Sequence, residues 1–102
     1  MTKLKKELRK GFKKTARFGG GSLLLTIEAS YNDIKTIFGK PNNEASDKVT
    51  HEWNLIKDGH IYTIYDWKQY TQQPKNRTIQ YSIGGNNKLG AMELAQIIRD
   101  IK

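Results

Sequence analysis

Residues 48–68 read KVTHEWNLIKDGHIYTIYDWK. Two arms, 48–57 and 60–68, are rich in β-branched and aromatic side chains and flank Asp58-Gly59. A two-residue turn that matches the right-handed twist of its strands needs positive φ at both central positions, and Asp-Gly supplies it. The segment therefore reads as a β-hairpin. A tight turn there sets Trp53 opposite Ile64, Leu55 opposite Tyr62 and His51 opposite Asp66. One face then carries Glu52, Asn54 and Ile56 beside Ile61, Thr63, Tyr65 and Trp67. A slip of one residue exchanges the faces. In this register both faces hold large aromatics, so each needs cover from helices, a second copy or a ligand.

Before the hairpin, residues 22–27 (SLLLTI) form a short apolar run bounded by glycine, a strand by its length. Ser30 can cap a helix over 31–38, where Tyr31, Ile34, Ile37 and Phe38 share a face and Asp33 sits in the first turn. Gly39 suits the position after the helix, and Pro41 stops it. Residues 41–47 make a polar loop. After the hairpin, residues 78–83 alternate: Ile79, Tyr81 and Ile83 on one face, Thr78, Gln80 and Ser82 on the other. Gly84-Gly85 ends that strand. Asn86 or Asn87 caps a last helix running to about Ile101, with Ala91, Leu94, Ala95, Ile97, Ile98 and Ile101 as its apolar stripe. The order β-α-β-β-β-α gives an α+β fold, a small antiparallel sheet of three to four strands with two helices on one face.

The charge lies elsewhere. The chain has 102 residues and a net charge of +8. Lys3, Lys5, Lys6, Arg9, Lys10, Lys13, Lys14 and Arg17 stand against Glu7 alone in residues 1–18, a net +7. The remainder holds ten cations and nine acids, a net +1. Leu4, Leu8 and Phe12 recur at helical spacing, so residues 1–18 read as a basic amphipathic arm that orders on a partner or against the body. Gly19-Gly20-Gly21-Ser22 is a flexible link, and residues 23–102 are one domain. Three uses of the arm compete: neutralising DNA or RNA phosphates, lying on a membrane surface, or serving as a solubilising terminus. The apolar stripe is narrow and lacks tryptophan, which favours phosphate.

Composition removes other classes. Cysteine is absent, and with it disulfides, thiolate metal sites and cysteine nucleophiles. No apolar run approaches the roughly 18 residues of a membrane span, and no secretory leader is legible. His51 opposite Asp66 would be an oriented imidazole, but no nucleophile stands at a defined spacing, so a satisfied cross-strand pair is the simpler reading. Glu52 and Asp66 on adjacent strands fit a solvated or cation-paired role better than an acid–base pair. The run Gly84-Gly85-Asn86-Asn87 can turn helix-start amides toward an anion, yet it matches no nucleotide fingerprint. No metal site, cofactor or catalytic residue is expected.

Tyr31, Phe38-Gly39-Lys40-Pro41, Glu52-Trp53, Ile64-Tyr65-Asp66-Trp67-Lys68 and Tyr81-Ser82-Ile83-Gly84-Gly85 follow one another over residues 24–100. In order and spacing they resemble a family of small proteins encoded by tailed phages and large DNA viruses. Tyr81 stands where that family more often has tryptophan, and the basic arm lies outside its pattern. The resemblance implies a viral accessory protein, active in the cytoplasm of an infected cell or in the virion, and no particular chemistry. Helix, three strands and helix is also the order of a double-stranded-RNA-binding domain. There a lysine cluster opens the last helix. Here only Lys88 stands beside Asn86 and Asn87, and Glu93 and Asp100 follow.

The expected function is non-enzymatic, non-specific binding of DNA or RNA phosphates through the eight arm cations, with the body as an oligomerisation or docking module. Two alternatives stand beside it. In one, a partner face of Glu52, Trp53, Tyr65, Asp66, Trp67, Lys68, Gly84, Gly85 and Asn86 sequesters a host defence protein or a nucleotide signal. In the other, the chain is a minor virion protein.

Overall fold

The computed structural model describes residues 11–15, 22–44, 49–67 and 77–101. In chain order the elements are β1 (Lys13–Lys14), β2 (Ser22–Ala29), α1 (Tyr31–Phe38), β3 (Asn43–Glu44), β4 (Val49–Lys57), β5 (His60–Trp67), β6 (Ile79–Gly85) and α2 (Lys88–Ile101). The fold is α+β, as expected from the sequence. The strand count is not: among the described residues six strands make one antiparallel sheet of five positions, ordered β1-β4-β5-β6-β2, with β3 also on β4. β1 and β3 share the outer edge of β4, one over Leu55–Ile56 and the other over His51–Glu52.

The hairpin forms where the sequence places it. Asp58 and Gly59 have φ of 52° and 80°, and Trp53 pairs with Ile64 and Leu55 with Tyr62. The register breaks between Val49 and Glu52, so the regular pairing does not extend to His51 and Asp66. The helix α1 begins with a reciprocal cap. The Asp33 N–H donates to Ser30 Oγ at 3.1 Å, and the Ser30 N–H donates to Asp33 Oδ2 at 3.0 Å.

Both helices lie on one face of the sheet. Ile27, Ala29, Trp53, Leu55, Tyr62, Ile64, Tyr81 and Ile83 meet Tyr31, Ile34, Ile37 and Phe38 of α1 and Ala91, Leu94, Ala95, Ile97 and Ile98 of α2. This settles which face of the hairpin is core: Trp53 is fully buried, and its indole N–H donates to the Gly39 carbonyl at 2.9 Å. The α2 helix packs close. A Cβ on Gly90 would sit 1.8 Å from the Tyr62 hydroxyl and 2.5 Å from Cζ. Only a glycine lets this turn cross that ring.

The arm expectation is corrected where the chain is described. Lys13–Lys14 is strand, not helix, and Phe12 just before it is buried in the core at 1% exposure. Leu4 and Leu8, the rest of the expected stripe, lie outside the described residues. A spacing of four fits a helix, but the main-chain edge of β4 and the apolar contact with Tyr62 give residues 12–15 a better use.

Candidate functional site

The basic edge is built from Phe12 outward. Its ring meets Tyr62 edge-on, centroids 5.4 Å apart, and Lys57 Nζ lies 4.9 Å from its centroid on the way to an ion pair with Glu93. Next in the chain, Lys13 and Lys14 pair with Ile56 and Leu55 and expose their side chains. Lys14 Nζ donates to the Lys40 carbonyl, bringing a third exposed lysine to the same edge.

Asn42 bridges β1 and β3 where neither reaches. Its amide Nδ2 donates to the Thr15 carbonyl at 2.7 Å, and its Oδ1 accepts the Asn54 N–H at 2.9 Å. The Thr15 N–H donates to the Asn54 carbonyl at 3.0 Å. The end of the segment expected to be a helical basic arm is thus stitched through Thr15 to a strand of the body. Of the eight expected phosphate contacts, Lys13 and Lys14 are in this edge. Lys3, Lys5, Lys6, Arg9, Lys10 and Arg17 lie outside the described residues.

The residues expected to form one partner face do not share a surface. Trp53 and Asp66 point into the helix-covered side and are buried. Glu52 and Tyr65 are half-buried on the other side and pair across β4 and β5. The Tyr65 ring leans over Gly84, 3.6 Å from where a Cβ would stand. Gly84 and Gly85 are buried strand residues, and Asn86 is exposed beside them. The Trp67 side chain and Lys68 lie outside the described residues. The Gly84–Asn87 turn is packed rather than open: Asn87 Nδ2 donates to the Tyr62 hydroxyl at 3.1 Å, and the Asn87 carbonyl accepts the Ala91 N–H.

His51 and Asp66 come together through the irregularity in β4. The His51 N–H donates to Asp66 Oδ1 at 2.8 Å, and the ring nitrogen Nδ1 lies 3.3 Å from Oδ2. Both residues are buried. The carboxylate satisfies an amide that the shifted register withdraws from the ladder. The Tyr31 ring meets the imidazole at a tilt of 52°, centroids 4.5 Å apart, and Trp53 meets Tyr81 edge-on at 6.0 Å. Burial, and then the negative charge of Asp66, push the Tyr81 phenol above its ordinary range. The arrangement fixes the end of the hairpin under α1. Among the described residues no group of three or more His, Asp or Glu is placed to hold a metal ion, and no helix is long and apolar enough to cross a membrane. Comparison with protein-family models, curated proteins and solved structures gives no match.

Sequence reasoning missed Phe12, Thr15 and Asn42 as parts of this edge. Phe12 carried a signal: a large apolar residue among cations, next to a β-capable Lys-Lys-Thr run. Asn42 carried none, because its role depends on two strands meeting at one point.

Proposed function

We propose that this chain is a non-enzymatic viral accessory protein that binds nucleic acid through its basic N-terminal segment. One observation carries the reading: eight cations against one carboxylate within residues 1–18, beside a body of net +1. The anchoring at Phe12 and Thr15 supports it, because cations tied to a rigid edge lose less freedom on meeting a phosphate array than those on a free tail. Lys13, Lys14 and Lys40 extend the basic surface onto the sheet. Contacts of this type go to phosphates, so sequence preference is weak. The resemblance to phage and large-virus proteins supports a place in the infected cell or the virion.

The test is a full-length variant with Lys3, Lys5, Lys6, Arg9 and Lys10 replaced by Gln. These substitutions leave Phe12 and β1 intact. Fluorescence anisotropy with labelled duplex DNA and RNA should show binding by the parent and a loss of at least tenfold in the variant. Equal affinities would remove the arm from the interface. No binding by the parent at low salt would end the nucleic-acid reading.

A further inference from the structure

We infer that β2 is a self-association edge, along which two copies of the chain join their sheets antiparallel about a two-fold axis. β2 is one end of the sheet order. Among the described residues it has β6 on one side and no strand on the other. It is eight residues long, with no lysine, no proline and a single charge, Glu28. Edge strands that stay unpaired commonly carry such features to repel a second strand. A bulge between Leu23 and Leu25 is the one irregularity, leaving Leu25–Ala29 in unbroken register with β6.

The features around this edge fit a second copy of the same chain. The helix α2 follows β6 after a short turn and runs back across the sheet, so it is parallel to β2. Pairing β2 antiparallel with itself therefore brings α2 beside α2 of the second copy, also antiparallel. The level matches as well. Met92 lies four residues into a helix that starts near the Leu23–Gly84 pair, roughly 6 Å along its axis. That equals about two strand residues and sets Met92 beside Leu25–Thr26. Arg99, two turns further on, lines a groove of about 540 Å³ with Thr26, Ile27, Glu28 and Gln80, so this side of α2 faces the edge. Met92 is 53% exposed and Leu23 58%, two of the three large apolar side chains left exposed among the described residues. A two-fold axis at the strand centre covers both.

Face matching narrows the register. Leu25, Ile27 and Ala29 pair with core residues of β6 and belong to the helix side, while Thr26 and Glu28 belong to the other. Keeping helices on one side of a continuous sheet requires the axis to pass through a residue, not between two. Centred on Thr26, the pairing sets Leu25 against Ile27 of the second copy and Thr26 against Thr26. Centred on Glu28, it would oppose two carboxylates. The dimer is a sheet of ten positions, with its two β1/β3 edges about 45 Å apart at opposite ends. Two arms would then reach one polyanion; that consequence rests on the proposed function, and the pairing does not.

The chain has no cysteine, so one introduced thiol reports one contact. Directly opposed residues of antiparallel strands have Cα atoms about 4.5–5.5 Å apart, inside the span a disulfide bridges. Full-length Thr26→Cys should become a covalent dimer under mild oxidation. Gln80→Cys, exposed on the neighbouring strand, should not. Sedimentation of the parent should show twice the monomer mass of 11.7 kDa, unaffected by salt that strips nucleic acid. Thr26→Lys should sediment as a monomer with an unchanged circular dichroism spectrum. A monomeric parent at submillimolar concentration, or equal cross-linking at both positions, would overturn the pairing. A monomeric parent that binds DNA would sink only the dimer, and a dimer that ignores DNA only the proposed function.

Discussion

Replacing Phe12 by alanine tests whether the basic segment belongs to the body or trails from it. The ring is 1% exposed and is shared between Tyr62 and the Lys57 side chain. Truncating a buried phenylalanine costs about 3–5 kcal/mol when the cavity cannot collapse. Phe12 sits beside a two-residue strand at the sheet's edge, where relaxation is easier, so the lower part of that range applies, about 3 kcal/mol. The edge-on contact with Tyr62 accounts for about 1 kcal/mol of it. Phe12→Leu keeps most of the apolar area and should cost about 1 kcal/mol. For a domain of this size each kcal/mol moves Tm by about 4–8 °C, so Phe12→Ala should melt at least 10 °C lower and Phe12→Leu about 5 °C lower. Urea unfolding of the full-length variants gives the free-energy changes and a thermal melt gives Tm, both followed by circular dichroism. A change below about 0.5 kcal/mol for Phe12→Ala is the signature of an exposed surface position. It would refute the packed edge and return residues 11–15 to a free arm.

Three further outcomes follow from the same packing. Gly90→Ala should lower stability by about 1–3 kcal/mol despite the better helix former, because its methyl overlaps the buried Tyr62 ring at 1.8 Å and 2.5 Å; adding Tyr62→Phe should recover part of the loss, and a stabilised Gly90→Ala would contradict the crossing. Asp66→Ala should cost about 3 kcal/mol in a urea melt, since it strips the partner from the buried His51 N–H and ring; a neutral result would mean that the β4 irregularity is satisfied in some other way. The Tyr81 phenol is raised above its ordinary value of 10.0 in the folded chain. The unfolded chain therefore loses that proton first, and stability is full below pH 10 and falls above it by up to about 1.4 kcal/mol per pH unit. Tyr81→Phe should flatten that alkaline limb, and an unchanged limb would show that Tyr81 is not the group responsible.

The long elements were legible because local chemistry and tertiary packing agree in them. Asp58-Gly59 set the hairpin, the Ser30–Asp33 pair and Gly39 bounded α1, and the stripe from Ala91 to Ile98 oriented α2. What the sequence hid depends on one or two residues at a time. β1 and β3 are two residues each, too short for any periodicity. The break between Val49 and Glu52 changed how His51 meets Asp66 while leaving both on the core side. Phe12 fitted two patterns at once: the helical spacing with Leu4 and Leu8, and a buried anchor ahead of an edge strand. Only the position of Tyr62 decides between them. The candidate interface is half legible for the same reason. Its charge could be counted in the sequence, whereas its attachment to β4 through Thr15 and Asn42 could not.

The most direct measurement is the salt dependence of duplex DNA binding by the full-length chain. Engagement of most of the eight cations should give a log–log slope of about −5 to −7, and affinity should fall by at least a thousandfold between about 50 and 200 mM salt. A slope near zero with binding retained would place recognition on neutral contacts of the body and contradict the basic edge as the site.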